Sequence, residues 1–508
     1  VTRFSFFDSS SAGIVMTDYL LSIDQGTSSS RAIVFNAMGE VVALRQKELT
    51  LHYPQDGWVE QRPFDILKDT LWAMRSVTKD LKKDVRRIAA AGITNQRETT
   101  ILWNRKTGEP IYNAIVWQDR RTAGLCADLK RAGVEEIITR KTGLLLDPYF
   151  SATKIKWILD HVEGAEALAR SGDLAFGTVD CFLLWHLTQG RVHATDATNA
   201  SRTMLYNIHE NKWDNDLLEL FDIPLEIMPV ILDNMADCGQ ITDDKFSQEC
   251  PIYGMAGDQQ AALIGQGCFS PGMVKATYGT GCFALMNTGT DCRESANRLL
   301  TTVGYRVDGR THYALEGAIF NAGTAIQFLR DNLGLIKNAA ETEALALSVD
   351  STGGVYFVPA FTGLGAPFWK PEARGVICGL VRDSSRAQIV RAALEAQAYQ
   401  TRDLILAMED DGGCAISAVR ADGGLVANRF MCQFLADQLQ RRIEVPKVKE
   451  STAWGVACLA GVRAGVFKSL EDSAAHWTAA SVYEPQMSAD QADVLYAGWQ
   501  RAVAKSYS

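Results

Sequence analysis

The sequence predicts an α/β protein of two domains, and three observations carry that prediction. The chain has 508 residues, more than one hydrophobic core usually organises. From Asp18 onward, short apolar runs alternate with segments of helical period, the pattern of strands interleaved with amphipathic helices. A strand–turn–strand opening near residue 20 also recurs about 250 residues later, as expected of two related halves facing a cleft.

Val1–Val15 holds the aromatic patch Phe4-Ser5-Phe6-Phe7 but no apolar stretch long enough for a secretory signal. It reads as a mobile N-terminal extension (1–15), after which Met16 opens the first strand. Tyr19-Leu20-Leu21-Ser22-Ile23 is a buried strand ending at Asp24-Gln25-Gly26-Thr27-Ser28-Ser29-Ser30. Arg31–Asn36 and Val41–Leu49 follow as strands, separated by the turn Ala37-Met38-Gly39-Glu40. Pro63 sits where a first helical turn tolerates it, with Leu67, Leu71, Met74 and Leu81 on one face. In the second opening, Met273–Ala276 is a strand, Thr277–Gly281 a turn and Cys282–Met286 the returning strand. Ser270-Pro271-Gly272 is a natural joint, which places one domain over 16–267 and the other over 268–508. Ser417–Ala421 reads as a strand ending at Asp422-Gly423-Gly424, followed by a helix with Phe430, Phe434 and Leu435 inward.

Composition narrows the function. Hydrophobic residues make up 47% and charged residues 22%, ordinary for a globular enzyme. The longest apolar runs, such as Ile88–Ile93, are too short to span a bilayer. The formal net charge is −9 and no Lys/Arg cluster offers a nucleic-acid footprint, so an anionic ligand must be held by local groups. Eleven cysteines are scattered without a C-x-x-C pair, which suggests reduced, buried thiols in a cytoplasmic protein. Seven dispersed histidines without H-E-x-x-H give no basis for a structural zinc.

The two Gly/Thr/Ser-rich turns are the first chemical signal. Backbone N–H groups and hydroxyls at a strand end suit a phosphate, and small residues let the backbone approach it. Asp24, beside the first turn, suits a magnesium ion held through water. Such clusters are also common as plain turns. The familiar alternatives are missing: there is no G-x-x-x-x-G-K-[ST], no G-x-G-x-x-G after a strand, and neither H-R-D nor D-F-G. If the chain binds ATP, it does so with paired hairpin turns.

Four segments then make the pattern specific: Asp24-Gln25-Gly26-Thr27-Ser28-Ser29-Ser30-Arg31, Asn95-Gln96-Arg97-Glu98-Thr99-Thr100, Gly257-Asp258-Gln259-Gln260 and Tyr278-Gly279-Thr280-Gly281-Cys282-Phe283. With Tyr149–Trp157 and the run from Gly375-Val376-Ile377-Cys378-Gly379-Leu380 to Ala393-Leu394-Glu395, the chain resembles the FGGY carbohydrate kinases, and among them those that act on glycerol. The match runs in order from about residue 18 to about residue 465. The resemblance implies the actin-like, ribonuclease H-like ATPase fold, with the active site in the interdomain cleft. It also implies Mg2+ and ATP, glycerol as phosphoryl acceptor and sn-glycerol 3-phosphate as product. It implies no nucleic-acid partner, no stable membrane insertion, and a dimer or tetramer.

By the same resemblance, Thr27, Ser28 and Ser29 contact the ATP phosphates and Arg31 adds positive charge. Thr280 belongs to the second phosphate turn, Gly323 and Gln327 lie near the nucleotide, and Gly424 and Asn428 form the adenosine pocket. Asp258 is the general base, accepting the proton of the attacking hydroxyl. Arg97, Glu98, Tyr149, Asp258 and Gln259 are polar partners of the glycerol hydroxyls, with Trp117 and Phe283 against its carbons. Each has a plainer reading: Asp258 as a helix cap, Arg97–Glu98 as an exposed ion pair, Trp117 as core. Two domains around a cleft imply closure about a hinge near residues 255–275, excluding water from the phosphoryl group. Ser28 stands where many relatives have Thr. Lys245–Pro251 lacks the Gly-rich loop and Arg with which some members bind fructose bisphosphate, and the tail after Lys468 is weakly matched. The open alternatives are an FGGY kinase for a tetritol or pentulose and a catalytically silent actin-like module.

Overall fold

The computed structural model describes residues 18–243, 246, 249–370 and 372–507. The expected extension and the strand opening at Met16 lie outside them, as does part of the 245–251 stretch. Two sheets organise the chain. The first opens with β1 (Tyr19–Gln25), β2 (Ser29–Asn36) and β3 (Val41–Glu48), an antiparallel meander. Helix α1 (Pro63–Leu81) follows, starting at the proline and burying Ile66, Ala73, Met74, Val77 and Leu81. Leu67 and Leu71 lie at the margin of that face, half-buried.

β4 (Ile88–Asn95) then runs parallel to β1, and β5 (Cys250–Gly257) parallel to β4, with the two-residue strand Gln240–Ile241 at the edge. Nearly every residue of β4 is buried, as expected of a parallel strand covered on both faces. Between β4 and β5 the chain makes an excursion that includes α2 (Ser151–His161) and α3 (Val179–Leu187). A separate apolar cluster around Ile115, Phe150, Phe176 and Leu217 supports it.

The second sheet contains β6 (Met273–Tyr278), β7 (Cys282–Gly289), β8 (Leu300–Val307), β9 (Arg310–Ile319), β10 (Ala418–Asp422), β11 (Ile443–Pro446) and β12 (Ala479–Tyr483). Its order is β8-β9-β7-β6-β10-β11-β12. Within it, β9-β7-β6 are antiparallel and β10 and β11 continue in parallel from β6. That reproduces β3-β2-β1-β4-β5 of the first sheet, so the two openings seen in sequence belong to one repeated topology. The second turn is tighter than expected: Tyr278 pairs with Cys282, leaving only Gly279-Thr280-Gly281 outside the ladder.

Four more helices complete the frame: α4 (Asp258–Gly265), α5 (Gly323–Asp331), α6 (Arg429–Leu439) and α7 (Ser451–Arg463). Although α7 lies between β11 and β12 of the second sheet in sequence, it packs on α4 and across β1, β4 and β5 of the first. Glycine makes the approach possible. A Cβ on Gly455 would lie 1.8 Å from the Ala261 carbonyl oxygen, one on Gly265 would lie 1.9 Å from that of Ser451, and one on Gly92 would lie 2.3 Å from that of Val456. The Ser22 hydroxyl donates to the Ala453 carbonyl at 2.6 Å across the same contact. All eleven cysteines are free thiols, most of them buried, and no helix among the described residues is long and apolar enough to cross a membrane.

The contact predicts its own test. Gly455→Ala forces α7 away from α4 and lowers the unfolding free energy by about 1–3 kcal/mol, the usual cost of overpacking. Urea denaturation followed by circular dichroism measures it.

Candidate active site between the two sheets

Three neighbouring strands of the first sheet end at one level, since Asp24 and Ala256 both register with Thr94. Their carboxyl ends, where open α/β sheets place ligands, deliver Asp24 from β1, Gln96-Arg97-Glu98 from β4 and Asp258 from β5. Arg97 and Glu98 are buried, which rules out the exposed-pair reading. The Arg97 guanidinium donates from Nη1 to Glu316 Oε2 at 2.5 Å and from Nη2 to Glu316 Oε1 at 3.0 Å. Its Nε lies 3.3 Å from Asp258 Oδ1, and Nη2 reaches the Tyr149 hydroxyl at 3.4 Å. Glu98 accepts from Arg202 Nε at 2.7 Å, and Arg202 Nη2 returns to Glu316 Oε1 at 2.9 Å. Arg97 Nε lies 3.8 Å from Glu98 Oε1, so two cations and two anions alternate in a buried ring. Burial pushes the Glu316 carboxyl up, but Arg202 and Arg97 outweigh it and bring it down to about 2.

Asp258 is the first residue of α4, and Gly257 holds the cap position, so the helix-cap reading fails. Its Oδ1 accepts from the backbone N–H of Gln259 at 2.7 Å. Burial pushes its carboxyl up to about 6, against the pull of Arg97 and Lys275 and with help from Glu98. Lys275, on β6, is completely buried. Its ammonium group donates to the Gln259 side chain, to Thr277 Oγ1 at 3.0 Å and to the Phe283 carbonyl at 3.2 Å.

The aromatic residues form one wall. Trp117 meets Tyr149 at 5.6 Å and Phe283 at 6.4 Å between ring centroids, both edge-to-face, a favoured aromatic geometry. Trp117 is half-buried and not core. Its indole N–H donates to Thr27 Oγ1 at 2.9 Å, tying the wall to the first turn. Gln61 donates to the Thr27 carbonyl at 2.6 Å, and Leu49 N–H to the Ser28 carbonyl at 2.8 Å. Ser29 already belongs to β2. Arg31 does not offer a free charge to the turn: it pairs with Asp24 and, at 2.6 Å, with Glu450 ahead of α7.

A cavity of about 260 Å³ opens beside the second turn, lined by Tyr278, Gly279, Thr280, Gly323, Gln327 and Gly424 among others. Gly323 begins α5 and donates its N–H to the Gly279 carbonyl at 3.0 Å, and a Cβ there would sit 2.5 Å from that oxygen. Four residues singled out in sequence, Thr280, Gly323, Gln327 and Gly424, thus meet in one pocket. Asn428 is the exception: its carbonyl oxygen caps α6 by accepting from Met431 N–H, and its amide donates to Thr342 Oγ1 at 3.0 Å.

Sequence reasoning missed Arg202, Glu316 and Lys275. Glu316 and Lys275 carried a signal, each being a charge set among buried residues of a strand. It also missed the layer beneath. Asn95 and Asn199 exchange side-chain hydrogen bonds at 3.0 Å, and the Gly257 N–H donates to Thr198 Oγ1 at 2.9 Å. Asp196 accepts from Thr198 and Asn199, and Asp180 from Thr178 and Thr195. Burial raises both carboxyls, and Asp196 adds to the rise at Asp180. This layer pins the ends of β4 and β5 that carry Arg97 and Asp258.

Comparison with known proteins assigns the family. The N-terminal domain of the FGGY family of carbohydrate kinases matches residues 19–265, and its C-terminal domain matches residues 274–464. The chain belongs to the FGGY carbohydrate kinases. It is 59% identical to glycerol kinase of Nitrosomonas eutropha over 95% of this chain and 97% of that one. It is 55% identical to glycerol kinase 1 of Pseudomonas aeruginosa over 96% and 99%. Among solved structures, Plasmodium falciparum glycerol kinase with ADP superposes with a TM-score of 0.92 at 34% identity, covering 96% of this chain and 98% of that one. The Rhodospirillum rubrum xylulose kinase shares the fold at 23% identity, with a TM-score of 0.85 and coverage of 96% and 98%.

Thr198→Val leaves the buried Gly257 N–H without its acceptor. The expected loss of stability is about 1–3 kcal/mol, read from the urea midpoint.

Proposed function

We propose that this FGGY kinase transfers the γ-phosphoryl group of ATP to glycerol, giving sn-glycerol 3-phosphate and ADP. The observation that carries the reading is the convergence of Arg97, Glu98, Tyr149 and Asp258 on one small space walled by Trp117 and Phe283. A triol needs a partner for each hydroxyl and cover for its carbons, and a site built for such hydroxyls rejects analogues that leave its polar groups unpaired. Arg97 donates, Glu98 and Asp258 accept, Tyr149 and Gln259 complete the polar set, and the two aromatic rings face the carbon chain.

Asp258 is the general base. Its carboxylate takes the proton as the acceptor hydroxyl oxygen attacks the γ-phosphorus and the bond to the ADP oxygen breaks. Arg97 keeps that carboxylate ionised at neutral pH. Thr27, Ser28 and Ser29 on one hairpin and Thr280 on the other bracket the phosphates, and Gly323, Gln327 and Gly424 border the nucleotide. Asn428 supports the adenosine end through the α6 cap. Asp24 fits a hydrated magnesium ion: it supplies a hard oxygen, and its Oδ1 has no hydrogen-bonding partner among the described residues. Such an ion is usually held by few carboxylates, water and phosphate oxygens, and when bound it neutralises phosphate charge. Arg31 anchors Asp24. In this reading residues 16–267 and 268–508 are the two working halves, the protein acts in the cytoplasm, and copies of the chain associate as a dimer or tetramer.

Release of ADP from Mg-ATP, measured with and without glycerol, tests the proposal. Glycerol stimulates release in the wild-type protein, more than erythritol or xylulose does, and Asp258→Asn lowers kcat by about 10²–10⁴-fold. Absence of stimulation in a protein that binds ATP would remove glycerol as the acceptor. A second expectation concerns pH. Because the ionised carboxylate is the active form, kcat/KM for glycerol falls about tenfold per pH unit below an inflection near pH 6. A profile flat from pH 5 to 8 would count against Asp258 as base.

A further inference from the structure

Two charged side chains deep in the site, Arg202 and Glu316, are assigned to neither substrate. Their side chains are 0% and 1% exposed. A buried ion is costly unless it is paired and hydrogen-bonded, so its partners show what it serves. Glu316 grips Arg97 fork to fork, through bonds of 2.5 and 3.0 Å. Arg202 grips Glu98 through Nε at 2.7 Å and Glu316 through Nη2 at 2.9 Å. Each ion proposed to face glycerol is thus held by one buried counter-ion, and the counter-ions hold each other.

The bonds select which atoms remain. With Glu316 on both terminal nitrogens of Arg97, Nε is left beside Asp258 at 3.3 Å and Nη2 beside the Tyr149 hydroxyl at 3.4 Å. With Arg202 on Glu98 Oε1, the second carboxylate oxygen has no hydrogen-bonding partner among the described residues. The backbone of Glu98 is left-handed, at φ 58°, an uncommon state for a non-glycine residue that persists where surrounding structure enforces it. Tertiary contacts, including the Ser151 hydroxyl on the Glu98 carbonyl at 3.1 Å, hold it there.

We propose that Arg202 and Glu316 are positioning residues for polyol recognition, fixing which guanidinium edge of Arg97 and which oxygen of Glu98 face the substrate hydroxyls. The inference rests on the assignment of Arg97 and Glu98 to glycerol and deepens it. Glu316 comes from β9 of the second sheet, whereas Arg97, Glu98 and Arg202 all precede β5. The polyol site is therefore complete only with both sheets in place.

Steady-state kinetics on the full chain tests this, with KM for glycerol and for Mg-ATP measured in the wild type, Glu316→Gln, Arg202→Lys and the charge-neutral double variant Glu316→Gln/Arg202→Met. Gln keeps the shape of Glu316 without its charge, and Lys keeps the charge of Arg202 without its fork. The expected result is a rise in KM for glycerol of about tenfold or more in both single variants, with KM for Mg-ATP changed less than about twofold. The double variant buries no uncompensated charge from this pair of changes beyond Arg97 and Glu98, which then face each other. It should bind ADP as the wild type does by calorimetry and remain impaired for glycerol. An unchanged KM for glycerol in the single variants, or equal rises for both substrates, would overturn the proposal. So would wild-type glycerol affinity in the double variant. No glycerol stimulation in the wild type would overturn the glycerol assignment and this inference together, whereas stimulation with indifferent variants would overturn only the inference.

Discussion

The buried ring of Arg97, Glu98, Arg202 and Glu316 is the constraint on which the rest of the site depends. Four ions in an apolar interior are stable only when each has its counter-charge at hydrogen-bonding distance. That requirement fixes the loop after β4, the segment after the excursion helices and β9 relative to one another. It joins the two sheets at the point where chemistry is proposed. It also sets the local field: Asp258 sits beside Arg97 with Lys275 nearby, while burial and Glu98 push the other way. The result is a carboxylate that is ionised at neutral pH yet more basic than an exposed aspartate.

Around this ring the fold uses one device twice. A hairpin turn joins two of three antiparallel strands and presents backbone and hydroxyl groups, and two parallel strands lie beside them. In the first sheet the turn is locked by Gln61 and Trp117. In the second it is locked by the start of α5, where only glycine fits at position 323. Trp117 joins the aromatic wall to the first turn, since one side chain packs on Tyr149 and Phe283 and holds Thr27. Helix α7 has the matching role on the far side of the first sheet, where glycines at 92, 265 and 455 let helix and strands come within backbone contact.

Much of this was legible in the chain. The strands, the repeated hairpins, the helix beginning at Pro63 and the aspartate opening α4 followed from local pattern, because period, turn chemistry and capping are properties of neighbouring residues. The motif segments identified the family and supplied most residues of the candidate site. What the chain did not show was how the polar groups are partnered. Arg31, to which the resemblance gave positive charge near the phosphates, is held by Asp24 and Glu450. Asn428, which the resemblance put at the adenosine pocket, has its side-chain amide bonded to the start of α6 and to Thr342. The second turn is two residues shorter than expected because strand pairing carries through Tyr278.

The sequence by itself determined the fold class, the two related halves, the kinase family and the identities of the groups at the strand ends. Tertiary structure alone decided which ions meet. Glu316 lies 219 residues from Arg97 and 114 from Arg202, and nothing in the local pattern of β9 says that its carboxylate faces a buried arginine pair. The physical reason is that hydrogen-bonded periodicity is written over a few neighbouring residues, whereas the cost of a buried charge is met by whichever partner the packing of distant strands brings within reach.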